Sequence, residues 1–182
     1  METINLRQIV MAAALGLSCL AAGAQGTGNA AIGSVPVLKN WTAPNYKMTS
    51  QALVDDTFAK HPELLSLTLQ GEPTGHKGIH TTFAGTFPER IGKMSSEVDV
   101  LVMTKGYTIL DPRWNRQETP SKSVYLLPLR DKSGQNIGLT VIVFKGNTKS
   151  EKDYFLAASA IRDEMAAQIP NHASLFQPAA QK

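Results

Sequence analysis

Residues 64–70, LLSLTLQ, alternate without a break, with Leu65, Leu67 and Leu69 set against Ser66, Thr68 and Gln70. Successive side chains of a strand point to opposite faces, so this run predicts a strand buried on one side. A slip of one residue would turn every leucine outward, which ties the register tightly to the core. Further strand candidates follow: IHTTFAGTF at 79–87, YTILD from Tyr107, SVYLLPL from Ser123 and IGLTVIVF from Ile137. The turn-rich GEPTGHKG separates the first two, so the second is expected to return antiparallel to the first. DKSGQN, between the last two, reads as a tight polar hairpin.

Helical spacing frames these strands. Leu53, Val54 and Phe58 share one side between Ser50 and Lys60, with Asp55 and Asp56 turned away and Pro62 stopping the helix. Ser95 and Ser96 are placed to cap a short helix running to about Lys105, with Asp99 three residues after Ser96 and Gly106 ending it. A last helix from about Ser150 to Ile169 carries Phe155, Ala158, Met165 and Ile169 on one side and is closed by Pro170. The order is helix, two strands, short helix, three strands, helix. That order predicts an α+β domain built on a five-stranded antiparallel sheet.

The N-terminus has the layout of a secretory signal peptide. A short polar start with Arg7 leads into an apolar run from Ile9 to about Ala22, then to the small residues Ala22-Gly23-Ala24. Cleavage is expected after Ala24, giving an exported chain, and no later segment approaches the length of a membrane span. The alternative, a lipoprotein anchored through Cys19, needs a branched apolar residue three before the cysteine; Gly16 stands there. Cleavage after Ala24 removes the only cysteine, and with it disulfides and thiol chemistry. The expected organisation is a signal peptide at 1–24, a linker at 25–45, the domain at 46–170 and a tail at 171–182. About 110 to 130 residues make one domain's worth of chain. The excess of basic residues, net +3, is dispersed and not interleaved with aromatics, which argues against nucleic acid.

Residues 92–95, GKMS, look at first like the end of a phosphate-binding loop. That loop needs a glycine where Phe87 stands and a magnesium-binding hydroxyl where Met94 stands. Taken together, HPELLSLTLQ, FPERIGKMSSEVDV and YLLPLRDKSGQNIGLTVIVF resemble the extracytoplasmic PAS-like sensor domains called Cache domains, over roughly Tyr46 to Ile169. The matching positions are Ile91-Gly92-Lys93 with Ser95-Ser96, and Pro128-Leu129-Arg130-Asp131 with Gly134, Ile137 and Gly138. The resemblance implies a PAS-like fold with a short lid helix. It also implies a small ligand (amino acid, organic acid or amine) held between sheet and lid, and a sensing role passed to a membrane receptor or other periplasmic partner. Alternatives are a periplasmic interaction module without ligand and a small hydrolase.

Chemistry-bearing residues are sparse. His76 and His80 are four apart, the spacing of a helical metal pair, but glycines flank them and both are expected as loop residues. No Gly-x-Ser-x-Gly elbow occurs. Asp131 and Lys132 are expected to be solvated turn residues. A non-enzymatic domain without metal or cofactor is therefore the expectation. Tyr107, Arg113, Trp114 and Tyr125 form the candidate ligand site, with Arg116 nearby and Arg113 as the expected partner of an anionic group, because a guanidinium fork matches a carboxylate. The ligand is expected between the sheet and the segment Ile91 to Trp114.

Overall fold

The computed structural model describes residues 37–111, 119–146 and 148–180. The expected signal peptide with Cys19, and the candidate residues Arg113, Trp114 and Arg116, lie outside them. Within them run α1 (Thr49–Lys60), β1 (Leu64–Gly71), β2 (Thr81–Gly85), a 3-10 turn (Pro88–Arg90), α2 (Glu97–Lys105), β3 (Ile109–Asp111), β4 (Lys122–Arg130), β5 (Asn136–Lys145), α3 (Glu151–Ala167) and a 3-10 helix (His172–Phe176). The strands form one sheet in the order β2-β1-β5-β4-β3, with every neighbouring pair antiparallel. This is the α+β, PAS-like arrangement expected from the element order.

Alternation along each strand sorts the sheet into two faces. Leu67 and Leu69 of β1, Phe83 of β2, Tyr125, Leu127 and Leu129 of β4, and Ile142 and Phe144 of β5 join one apolar cluster with Leu53 and Val54 of α1 and Tyr154, Ala158, Ile161 and Met165 of α3. The other face carries Val124 and Leu126 of β4 and Leu139 and Val143 of β5 under Val102 of α2. A bulge at Leu64–Ser66 in the pairing of β1 with β5 gives Leu65 and Ser66 to this second face together.

α2 starts at the predicted place for the predicted reason. Ser96 accepts from the Asp99 amide at 3.2 Å, and the Asp99 carboxylate accepts from the Ser96 amide at 3.0 Å. Gly106 closes the helix at φ +70°.

Three expectations are corrected. The stretch assigned to a linker is already part of the fold by Leu38: the Asn40 amide donates to the Gly92 carbonyl and the Met94 amide to the Leu38 carbonyl, both at 3.0 Å. The assigned tail is folded in too, with Leu175 and Phe176 buried and the Phe176 ring 4.9 Å from that of Phe83. Trp41, Leu175 and Phe176 are isolated apolar residues without period, so sequence pattern gives them no element although their packing is real. Asp131 is 5% exposed, not solvated. Its Oδ1 accepts from the Ser133 hydroxyl at 2.6 Å and from the amides of Ser133 and Gln135 at 2.9 and 3.1 Å. The Ser133 hydroxyl, with those amides, holds the carboxyl below its usual range. Asp131 therefore organises the hairpin turn, as a turn residue should.

Candidate functional site

On the second face, α2 covers β4 and β5 only in part, and the segment between β2 and α2 stands over the rest. Between that segment and the sheet lies a cleft of about 300 Å³. Its floor is divided by strand register. Ser66, Thr68 and Gln70 of β1 stand beside Val143, Val141 and Leu139 of β5, so a polar stripe runs next to an aliphatic one. Thr82, paired with Gln70, extends the polar side, and Val124, paired with Val143, extends the apolar side. Phe87, Arg90, Lys93 and Met94 form the roof, and Asp99 and Lys122 also line the space.

The roof is held by main-chain bonds at both of its edges. The Thr82 amide donates to the Lys93 carbonyl and the Gly92 amide to the Thr82 carbonyl, both at 2.8 Å. The Thr81 hydroxyl adds a bond to the Lys93 carbonyl at 3.0 Å. On the far edge the segment pairs with residues 38–40. Gly92 is required here twice over: its φ is +86°, and a Cβ would run into the Trp41 carbonyl oxygen. The Ile91-Gly92-Lys93 stretch thus threads a backbone between two partners and has no phosphate loop to form.

Roof and floor meet at one side-chain bond. Ser95 Oγ donates to Gln70 Oε1 at 2.7 Å, and both residues are buried. That bond uses the amide oxygen and leaves the Gln70 NH₂ as the end without a protein acceptor among the described residues. Ser66 (7% exposed) and Thr82 (4%) likewise place hydroxyls on the cleft with no protein partner among the described residues. Three polar side chains converging on one open space suit it to a polar occupant, which would take the place of solvent there.

Of the sequence-predicted site, Arg113 and Trp114 lie outside the described residues, and the two described members do not line the cleft. Tyr125 is corrected outright. It occupies an odd position on β4, so it faces α3, where its hydroxyl donates to the Glu151 carbonyl at 3.3 Å and its ring lies 6.0 Å from that of Phe144. Burial pushes its phenol up to about 12. Tyr107 follows the end of α2, 56% exposed and away from the cleft lining. The residues that do line the cleft were legible in one respect: the polar half of the β1 alternation is its floor.

A more open groove of about 340 Å³ at the other end of α2 brings His80 and His172 near Glu72. His80 Nε2 is 3.5 Å from a Glu72 oxygen, and His172 Nε2 is 2.8 Å from the Glu72 carbonyl. His76 is exposed and stands apart from both. No group of three or more histidine, cysteine or acidic residues placed to hold a metal occurs among the described residues.

No family model matches the chain, and no curated protein matches it. Solved structures share the architecture at a distance. A type II free methionine-R-sulfoxide reductase from Thermoplasma acidophilum is 18% identical over 64% of this chain and 86% of that one, with a TM-score of 0.44. The inducer-binding domain of the PobR transcription factor from Acinetobacter, solved with 3-hydroxybenzoic acid, is 9% identical over 68% and 96%, TM-score 0.42. The cofactor-binding GAF domain of the nutrient sensor CodY from Clostridium difficile is 11% identical over 69% and 87%, TM-score 0.43. Each is a remote likeness, so the site is judged on its own residues.

Proposed function

We propose that this chain is a non-enzymatic domain that binds a small molecule in the cleft between the sheet and the 87–99 segment, and that it works outside the cytoplasm as part of a sensing system. The single observation that carries the binding proposal is the convergence of three polar side chains, Ser66, Gln70 and Thr82, on the floor of a concave space. No histidine lines that space, and no base stands within hydrogen-bond reach of the Ser66 hydroxyl among the described residues, which favours holding a molecule over attacking one. Export is supported by the N-terminal sequence pattern. Intact mass of the mature protein tests it: a chain beginning at Gln25 agrees, and a diacylated terminus at Cys19 makes it a lipoprotein.

A thermal-shift screen of amino acids, organic acids and amines tests the binding. A ligand at 100 times its dissociation constant stabilises the folded state by about 2.7 kcal/mol. Thr68→Trp, which places an indole on the half-exposed middle of the floor, is expected to abolish the shift while leaving the fold intact. A shift that survives this substitution moves the site elsewhere.

An interaction module is the second reading, favoured by the outward side of α2. Val98 and Leu101 are 47% and 43% exposed there, next to the exposed Met94 and Leu38. Crosslinking of a partner to this patch in a chain that binds nothing from the screen would favour it.

A further inference from the structure

We infer that the cleft selects a small organic anion, a carboxylate on an apolar body, and rejects amines of the same shape. The inference rests on the cleft being a binding site and concerns which molecule it takes. Three observations carry it. The first is the sense of the Gln70 amide: its oxygen accepts from the Ser95 hydroxyl, and its NH₂ is the end offered to the cleft as a donor. The second is the roof. Arg90 and Lys93 can only donate, neither is ion-paired to a described residue, and Lys93 hangs from the main-chain bond that joins it to Thr82, beside the polar stripe. Arg90 is held over the Phe87 ring, its guanidinium carbon 5.0 Å from the centroid.

Against these donors stands one acidic lining residue, Asp99, and one of its oxygens already caps α2 by accepting from the Ser96 amide. The Ser66 and Thr82 hydroxyls can serve either sense and so do not oppose an acceptor-rich ligand. An ammonium ion would meet Arg90, Lys93 and a donor amide, with Lys122 also on the lining and little to accept its protons.

The third observation is the division of the floor. The aliphatic stripe of Val141, Val143 and Val124 runs alongside the polar one. A ligand lying flat across both must be polar along one edge and apolar along the other. A space of about 300 Å³ is at the small end for ligand sites, which suits a molecule of about the size of an aromatic or medium-chain acid. Inorganic phosphate would satisfy the donors and leave the valines uncovered, so a bare anion is expected to bind much more weakly.

The test uses isosteric probes on the full chain. Benzoate, phenylacetate and hexanoate are compared with benzylamine, hexylamine and benzyl alcohol, with inorganic phosphate as the bare anion, by calorimetry and thermal shift. At least one acid is expected to bind ten times or more tightly than its amine and alcohol counterparts and than phosphate. Lys93→Gln, a change at an exposed side chain, is expected to weaken that acid at least several-fold. Gln70→Glu, which keeps the acceptor for Ser95 and replaces donors by negative charge, is expected to weaken it further; should that variant not fold, Arg90→Gln serves in its place. An amine or alcohol binding as tightly as the acid, with Thr68→Trp abolishing it, overturns the anion inference and leaves the cleft as a binding site. Phosphate binding as tightly as the acid overturns the amphipathic part. Acid binding indifferent to Lys93→Gln and Gln70→Glu overturns the assignment of donors. Silence from the acids while sugars or nucleosides bind overturns the ligand class alone, and silence from that wider set as well overturns the binding site itself.

Discussion

The two faces of one sheet are built from the same alternating strands and finished in opposite ways. On the α1/α3 face, Leu67, Leu69, Phe83, Leu127, Leu129, Ile142 and Phe144 are all at or below 1% exposure and touch helices along the length of the strands. On the α2 face, a nine-residue helix with one fully buried side chain, Val102, covers part of β4 and β5, and polar β1 residues are left beneath a roof made of loop. The lesson is that burial and packing are separate. Ser66 and Gln70 are nearly as hidden as the leucines beside them, yet nothing among the described residues fills the space before them. The first face stabilises the domain and the second keeps room.

That contrast is most easily broken by deleting neighbouring side chains that point opposite ways. Phe144→Ala on the packed face removes a ring set 5.0 Å from that of Tyr154 and 6.0 Å from that of Tyr125. Urea unfolding should show a loss of about 3–5 kcal/mol, the range for a large buried aromatic. Val143→Ala, the adjacent residue on the cleft side, removes two methyl groups from a wall that already borders open space. It should cost about 1–2 kcal/mol, since little new cavity is made. Equal losses would mean that the cleft face is packed as tightly as the other and that the cleft is not open in solution.

Gly92→Ala comes next in size. The substitution asks an L-residue to adopt φ +86° and drives a methyl into the Trp41 carbonyl, so the roof must shift off the 38–40 arm. A forced left-handed conformation costs about 1–3 kcal/mol, and here the cost falls on the cleft side alone. Amide exchange should quicken at Asn40 and Met94, whose amides join arm and roof, and stay unchanged in the interior of β5. Faster exchange throughout the sheet would show that roof and core unfold as one unit and would end the distinction between the faces.

How much of this was legible follows from which signals are periodic. The strand alternation in LLSLTLQ and IGLTVIVF, and the Ser96/Asp99 capping pair, are local patterns, and each produced its element nearly where expected. The sheet order could not be read off them, because pairing β1 with β5 is decided by contacts some seventy residues apart. The floor of the cleft could not be read from the sequence for a related reason. A polar residue on a strand's outer face looks the same in sequence whether it meets water or a cleft, and only the roof over Ser66, Thr68 and Gln70 makes the difference. Tyr125 misled by composition: an aromatic with a hydroxyl suggests a ligand, but its odd position on β4 put it with Leu127 and Leu129. The β1 bulge shows the limit of pattern reading from the other side, since strict alternation puts Leu65 with Leu67 and the bulge places it with Ser66.

The smallest predicted effect sharpens the comparison from the packed face, where the ends of α1 and α3 are tied by charge. Lys60 Nζ lies 2.8 Å from Glu164 Oε1, and His61 Nε2 lies 3.0 Å from Oε2. The Lys60 ammonium first, and the His61 ring second, hold the Glu164 carboxyl below its usual range. A carboxyl depressed in the folded state contributes stability that is fully present above its ordinary pKa and is lost as the pH falls through the folded value. Glu164→Gln should therefore destabilise at neutral pH, and the difference from the parent should shrink to nothing in acid. The side chain is 35% exposed and screened by water, so the loss should stay below about 1 kcal/mol. Because the pair joins two helices that lie across the sheet from the cleft, the binding of any cleft ligand should be indifferent to the substitution. Paired melts of parent and Glu164→Gln at neutral and acidic pH, with and without a bound acid, read both quantities at once. A gap that widens in acid would contradict the sign, and a change in ligand affinity would show that the packed face and the cleft are coupled through the sheet.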